Sequence, residues 1–190
     1  MEEPRLRPLV LGGDHSISYP VVRAVTEHLG GPVDILHLDA HLGGPVDILH
    51  LDAHPDIYHS FEGNKYSHAS SFARIMEGGH ARRLLQVGIR SITKEGQEQG
   101  KIFGVEQYEM HSFSKYLKFL ENLKLGEGVK GVYISIDVDF LDLDFAPRVS
   151  HLDPGGLSFH DVMKIVQICK ETLLKLMLWN LTHNVIQLME

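Results

Sequence analysis

Cysteine is almost missing from this chain. Of 190 residues only Cys169 carries a thiol, which excludes an internal disulfide and fits a reducing compartment. Long hydrophobic runs are missing too. The most apolar tract, residues 173–181, is far shorter than a membrane span and is interrupted by Lys175. The first residues, Met1-Glu2-Glu3-Pro4, are acidic and lack an apolar centre, so the expectation is neither a secretory signal nor a transit peptide. Positive charge is in deficit, with 18 Lys and Arg against 25 Asp and Glu, a net charge of −7. That balance argues against nucleic acid or an anionic membrane as the main partner.

What is present is ordinary for a folded protein. Hydrophobic residues are 43% and charged residues 23%, and the length suits one domain with a real core. The acidity has two readings: a solvated surface, or carboxylates that face bound cations. Thirteen histidines make the second worth pursuing.

Short apolar runs alternate with helical patterns. Residues 9–11, 46–51, 84–89 and 132–136 read as strands, and 21–28, 70–77 and 113–123 as helices. Ser158 to Asp161 resembles a capping box opening a last helix. Such alternation predicts an α/β fold with a parallel sheet and helices on both faces. Ligands gather beyond the carboxyl ends of such strands.

One feature is abnormal. Residues 29–41 read LGGPVDILHLDAH, and residues 42–54 repeat them without a change. Solenoid repeats are longer and rarely identical, so this is not a repeat architecture; it reads as a local duplication or as an error in how the sequence was assembled. Either copy could fill one strand slot. Only the second continues into Pro55-Asp56, whereas Asp39 and His41 of the first run into Leu42-Gly43. The second copy is therefore expected in the sheet, with 29–41 as an insertion before it.

Polar clusters follow three of the strands: Gly12-Gly13-Asp14-His15-Ser16, Asp52-Ala53-His54-Pro55-Asp56 and Asp137-Val138-Asp139. Asp52, His54 and Asp56 alternate, as do Asp137 and Asp139, so an extended chain would aim each set to one side. With His15 they form a mixed oxygen and nitrogen donor set. Such a set suits a hard-to-borderline metal such as Mn²⁺, and six donors suggest two ions. Singly, each cluster is more often a loop end or turn.

In this order, Gly-Gly-Asp-His-Ser, Asp-Ala-His-Pro-Asp and Asp137-Val138-Asp139-Phe140-Leu141-Asp142 resemble the signature motifs of the ureohydrolases, the arginase–agmatinase family. Residues 61–70, FEGNKYSHAS, are similar to plant-type arginases. The resemblance runs from about residue 8 to about 162. It implies a three-layer α/β/α sandwich, incomplete at both ends, over a partial domain at 1–162 with a divergent helical tail at 163–190. It implies two Mn²⁺ ions. His15, Asp52, Asp56 and Asp137 would hold one, and His54, Asp52, Asp137 and Asp139 the other. The implied reaction is hydrolysis of the guanidinium of arginine or agmatine to urea and an amine. Asp56 would orient the attacking water, His68 would shuttle protons, and Asn64 would touch the amino-acid end of the substrate. Relatives of this kind form trimers or hexamers, and the plant-type ones are often mitochondrial. On residue chemistry alone, His68 could be a loop histidine and Gly63-Asn64 a turn.

Departures from the pattern accompany it. Leu143 stands where the family usually has proline. After Asp161 the family continues to a glutamate that receives the guanidinium, but 164–190 contains only Glu171 and Glu190 as acids. These motivate a second reading, a metal-binding chain without turnover. A two-metal hydrolase of another kind, such as a phosphatase, is a third.

Overall fold

The computed structural model describes residues 9–28, 46–112, 117–118, 121–122, 132–149, 151–173 and 177–182. The first repeat copy, at 29–41, and most of the helix expected at 113–123 lie outside them. Strand β1 is Leu9–Gly12 and helix α1 is Ser18–His28. Next come β2 (Val46–Leu51), α2 (Ser71–Glu77), β3 (Ala81–Ile89), α3 (Lys94–Ile102) and β4 (Glu106–Glu109). The order ends with β5 (Val132–Asp137), α4 (Phe159–Leu173) and β6 (Met177–Thr182).

The strands form one parallel sheet in the order β1-β6-β5-β2-β3-β4. Alternation along the strands divides their side chains between two cores. Leu49, Leu51, Leu85, Val87, Ile134 and Ile136 pack on one face with Ile165 of α4. Ile48, Leu84 and Tyr133 pack on the other with Val22 of α1 and Phe72 and Ile75 of α2. Helices therefore cover both faces, which is the expected three-layer sandwich. Both-sided burial explains why β2, β3 and β5 read as continuous apolar runs.

The capping box forms as expected. The Asp161 amide donates to Ser158 Oγ at 3.2 Å, and the Ser158 amide donates to Asp161 Oδ2 at 3.2 Å. Each satisfies a donor that the first turn of α4 would otherwise leave open.

The tail is a correction. It was expected to be helical over 163–190, but α4 stops at Leu173 and Met177–Thr182 is a strand. That strand lies between β1 and β5, pairing Trp179 with both Leu9 and Ile134. Periodicity cannot separate a short buried strand from a helix segment, and here the sheet supplied a slot with partners on both sides. Helix α3 and strand β4 were also missed. Glycines at 96 and 100 depress the helical signal of α3. β4 is a four-residue edge strand carrying glutamates at both ends.

Candidate metal centre

The site lies beyond the carboxyl ends of β1, β2 and β5. At each exit an aspartate side chain turns the chain by accepting the backbone N–H two residues on. Asp14 accepts from Ser16 at 2.8 Å, Asp52 from His54 at 2.7 Å and Asp137 from Asp139 at 3.0 Å. This Asx turn is a local preference of Asp. It replaces the extended geometry expected for Asp52, His54 and Asp56, because the strand ends at Leu51. Asp56 sits at φ 43°, a left-handed conformation rare outside glycine and tolerated best by Asp and Asn.

The bend sends the alternate residues to two clusters. Buried His15 Nδ1 lies 3.3 Å from Asp52 Oδ2, 3.1 Å from Asp56 Oδ2 and 3.3 Å from Asp137 Oδ2. His54 Nδ1 lies 3.1 Å from Asp139 Oδ2 and 3.5 Å from Asp52 Oδ1. All six residues expected as ligands thus meet in one place. Asp52 is the link, facing both imidazoles. The second repeat copy supplies Asp52 and His54, as expected.

His50 was missed. It is buried and places Nε2 2.8 Å from Asp52 Oδ2. A histidine inside an apolar strand, two residues before Asp52 and on the same face, was the available signal. His50 aligns with Gln86 on one side and Ser135 on the other. Gln86 Nε2 lies 3.2 Å from His50 Nδ1, and Ser135 Oγ lies 2.9 Å from His15 Nε2. This polar row satisfies the far nitrogens of the site's imidazoles within the sheet.

The electrostatics are unbalanced among these groups. Burial, with Asp139 and Asp137 nearby, pushes the Asp52 carboxyl up to about 7. Burial and Asp52 also raise Asp56. Burial opposes charge on His54, but hydrogen bonding to Asp139 and Asp52 prevails and raises it to about 11. Burial likewise opposes charge on His15, and Asp137, Asp56 and Asp52 hold its pKa well above the ordinary value. His50 goes the other way, down to about 3, through burial and the His15 charge. Burying several carboxylates together is costly unless positive charge accompanies them, and protons or metal ions can supply it.

Donor atoms group as His15, His50, Asp52 and Asp56; as Asp52, Asp137 and Asp139; and as His54, Asp139 and His151. The atoms of each group lie within 4.8 Å of one another. Four imidazoles and four buried carboxylates fit a hard-to-borderline divalent cation. A cavity of about 220 Å³ opens onto Asp52, His54, Asp56, Asp137 and Asp139. Its walls include Tyr58, Phe61, His68, Ser91 and His151. His68 begins a 3-10 turn at His68–Ser70 and stacks edge-on against Phe61, with ring centres 5.5 Å apart. Asn64 is exposed, and its Oδ1 accepts the Tyr66 amide at 2.9 Å. It follows Glu62 and Gly63, at φ 49° and 77°, in a tight turn, and it is not among the cavity's lining residues.

A parallel three-layer α/β protein with an acid–imidazole cluster at its strand ends is built as a metal-site protein. Sequence comparison sharpens this. The model of the Arginase family matches residues 3–43 and 42–182, and the break falls at the junction of the two repeat copies. The chain belongs to the Arginase family. The match reaches Thr182, beyond the limit near residue 162 expected from motifs. "Arginase 1, mitochondrial" of Arabidopsis thaliana is 76% identical over 166 residues, 87% of this chain and 45% of that protein. The N(1)-aminopropylagmatine ureohydrolase of Thermus thermophilus is 35% identical over 84% of this chain and 48% of its own length. The chain spans about half the length of the curated relatives it matches. Among solved structures, the arginase from Medicago truncatula superposes with TM-score 0.80 at 57% identity, covering 98% of this chain and 54% of that one. The proclavaminate amidino hydrolase from Streptomyces clavuligerus does so with TM-score 0.72 at 27% identity, covering 95% and 55%.

Proposed function

We propose that this chain carries the metal site of a binuclear manganese ureohydrolase that hydrolyses the guanidinium of L-arginine, with agmatine as the nearest alternative. The supporting observation is the convergence of His15, Asp52, Asp56 and Asp137 in one cluster and His54, Asp52 and Asp139 in the adjoining one. His15, Asp52, Asp56 and Asp137 would hold one Mn²⁺, and His54, Asp52, Asp137 and Asp139 would hold the other. When bound, the two ions supply an activated water at neutral pH by lowering its pKa.

The chain's own residues do the rest. Asp56, fixed against His15, orients the attacking water through its carboxylate. His68, which also lines the cavity, hands a proton to the departing amine, a task suited to imidazole. Asn64, assigned to the amino-acid end of arginine by the family pattern, lies outside the cavity lining.

The test is urea release from purified protein with Mn²⁺, offering arginine and agmatine in turn. Release with His68→Ala lowered about 10²- to 10⁴-fold, at unchanged Mn²⁺ content, is the expected outcome. A second reading is metal binding without turnover. Two bound Mn²⁺ with no urea from either substrate would select it. No bound metal would sink both.

A further inference from the structure

We propose that Arg90, just past the end of β3, is a positioning residue that sets the His54 imidazole between two carboxylates. No motif marked it. Its guanidinium serves main-chain carbonyls of two distant segments, besides Gly88 O of its own strand at 3.4 Å. Nη2 donates to Asp139 O at 2.6 Å, to Leu141 O at 3.2 Å and to Asp153 O at 3.0 Å. Nη1 donates to Phe140 O at 3.3 Å, and Nε donates to Asp153 O at 3.1 Å. The backbone of Arg90 completes the circuit, donating its N–H to Ala53 O, next to His54, at 3.0 Å.

The two pinned segments present their carboxylates to opposite nitrogens of one ring. Asp139 Oδ2 lies 3.1 Å from His54 Nδ1, and Asp153 Oδ2 lies 3.3 Å from Nε2. Asp139, the nearer partner, is the ligand reading's own residue. Asp153 is outside the motifs and lies in the segment that also places His151 on the cavity wall. A carboxylate on the far nitrogen of a ligating histidine fixes its tautomer and ring plane. Asp142 strengthens the same junction from below, its Oδ2 accepting the Gly155 and Gly156 amides at 2.8 and 3.0 Å. Arg90 thereby makes the position of Asp139 and the position of the 151–156 wall one variable. Lysine cannot replace it, because one ammonium lacks the planar five-donor fork that reaches both segments.

The metal readout of this proposal rests on the ion-binding reading above, and the exchange readout does not. The experiment compares the full chain with Arg90→Lys and Arg90→Ala by amide hydrogen exchange and by Mn²⁺ titration. Exchange is expected to quicken at Leu141, Asp142, Gly155, Gly156 and Leu157 in both variants, with β2 and β5 amides unchanged. Mn²⁺ affinity at the ion held by His54 should fall about ten- to a hundredfold, and the ion held by His15 should change far less. Arg90→Lys guards against loss of folding in Arg90→Ala. Unchanged exchange at those five amides, or equal weakening of both ions, would overturn the proposal. If the unaltered chain binds no Mn²⁺, the ion-binding reading fails, and the exchange pattern alone then upholds or overturns the role of Arg90.

Discussion

Replacing Asp52 with asparagine should stabilise the chain in a chelator and destabilise it in Mn²⁺. Asp52 is buried, and its pKa stands at about 7 against an ordinary 3.8. At about 1.4 kcal/mol per pH unit, that gap corresponds to about 4 kcal/mol, shared with the carboxylates and imidazoles around it. The sign follows from linkage. A carboxyl raised above its unfolded pKa supports the fold fully below 3.8 and loses that support as pH rises toward about 7. Slightly above neutral pH, asparagine removes this cost. It also loses an acceptor, because Asp52 receives the His54 amide at 2.7 Å on Oδ1 and faces His50 Nε2 at 2.8 Å on Oδ2. Leaving one of these poorly served costs about 1–3 kcal/mol. The net gain is about 1–3 kcal/mol, a rise of about 2–12 °C in melting temperature for a chain of this size. With Mn²⁺ the order reverses. A ligand at about a hundred times its Kd adds about 2.7 kcal/mol, and Asp52 faces both ions. Calorimetric melting in EDTA and in Mn²⁺, across the pH range from acid to neutral, reads both effects. Asp52→Asn melting below the parent in EDTA at neutral pH would refute the electrostatic account. Equal Mn²⁺ stabilisation of both would refute the ligand assignment.

Ser158→Ala removes the hydroxyl half of the capping box, leaving the residue 158 amide on Asp161, and should cost about 1 kcal/mol, read as a lower urea midpoint at unchanged slope. Gly88→Ala should cost more, because φ there is +94° and an added Cβ would lie 3.1 Å from the Asp52 carbonyl. The measurement is thermal melting beside Mn²⁺ content, and a neutral substitution would show that the β3–Asp52 approach has slack. Deleting residues 29–41 should leave Mn²⁺ stoichiometry unchanged, since one complete copy then still runs into Pro55 and Asp56. In the full chain, Asp39→Asn with His41→Asn should likewise leave Mn²⁺ binding unchanged, because β2 and its ligands come from the second copy, and loss of binding there would show that the first copy is used.

Much of this was legible in the chain itself. The strands at residues 46–51 and 132–136 declared themselves because burial on both faces demands unbroken apolar runs. The ligands declared themselves because each follows such a run, and Asx turns are encoded locally by Asp14, Asp52 and Asp137. Even the choice between identical repeat copies was readable, since Asp56 follows only the second. Long-range placement was not. The sequence around Met177–Thr182 is equally consistent with a helix, and its strand depends on an open slot between β1 and β5. His50 looked like a strand residue until Asp52, Gln86 and Phe72 closed around it. Arg90 has no signature, because it recognises carbonyls, which every residue possesses. Local chemistry determined the elements and the donor set, and tertiary packing decided which distant residues hold that set in position.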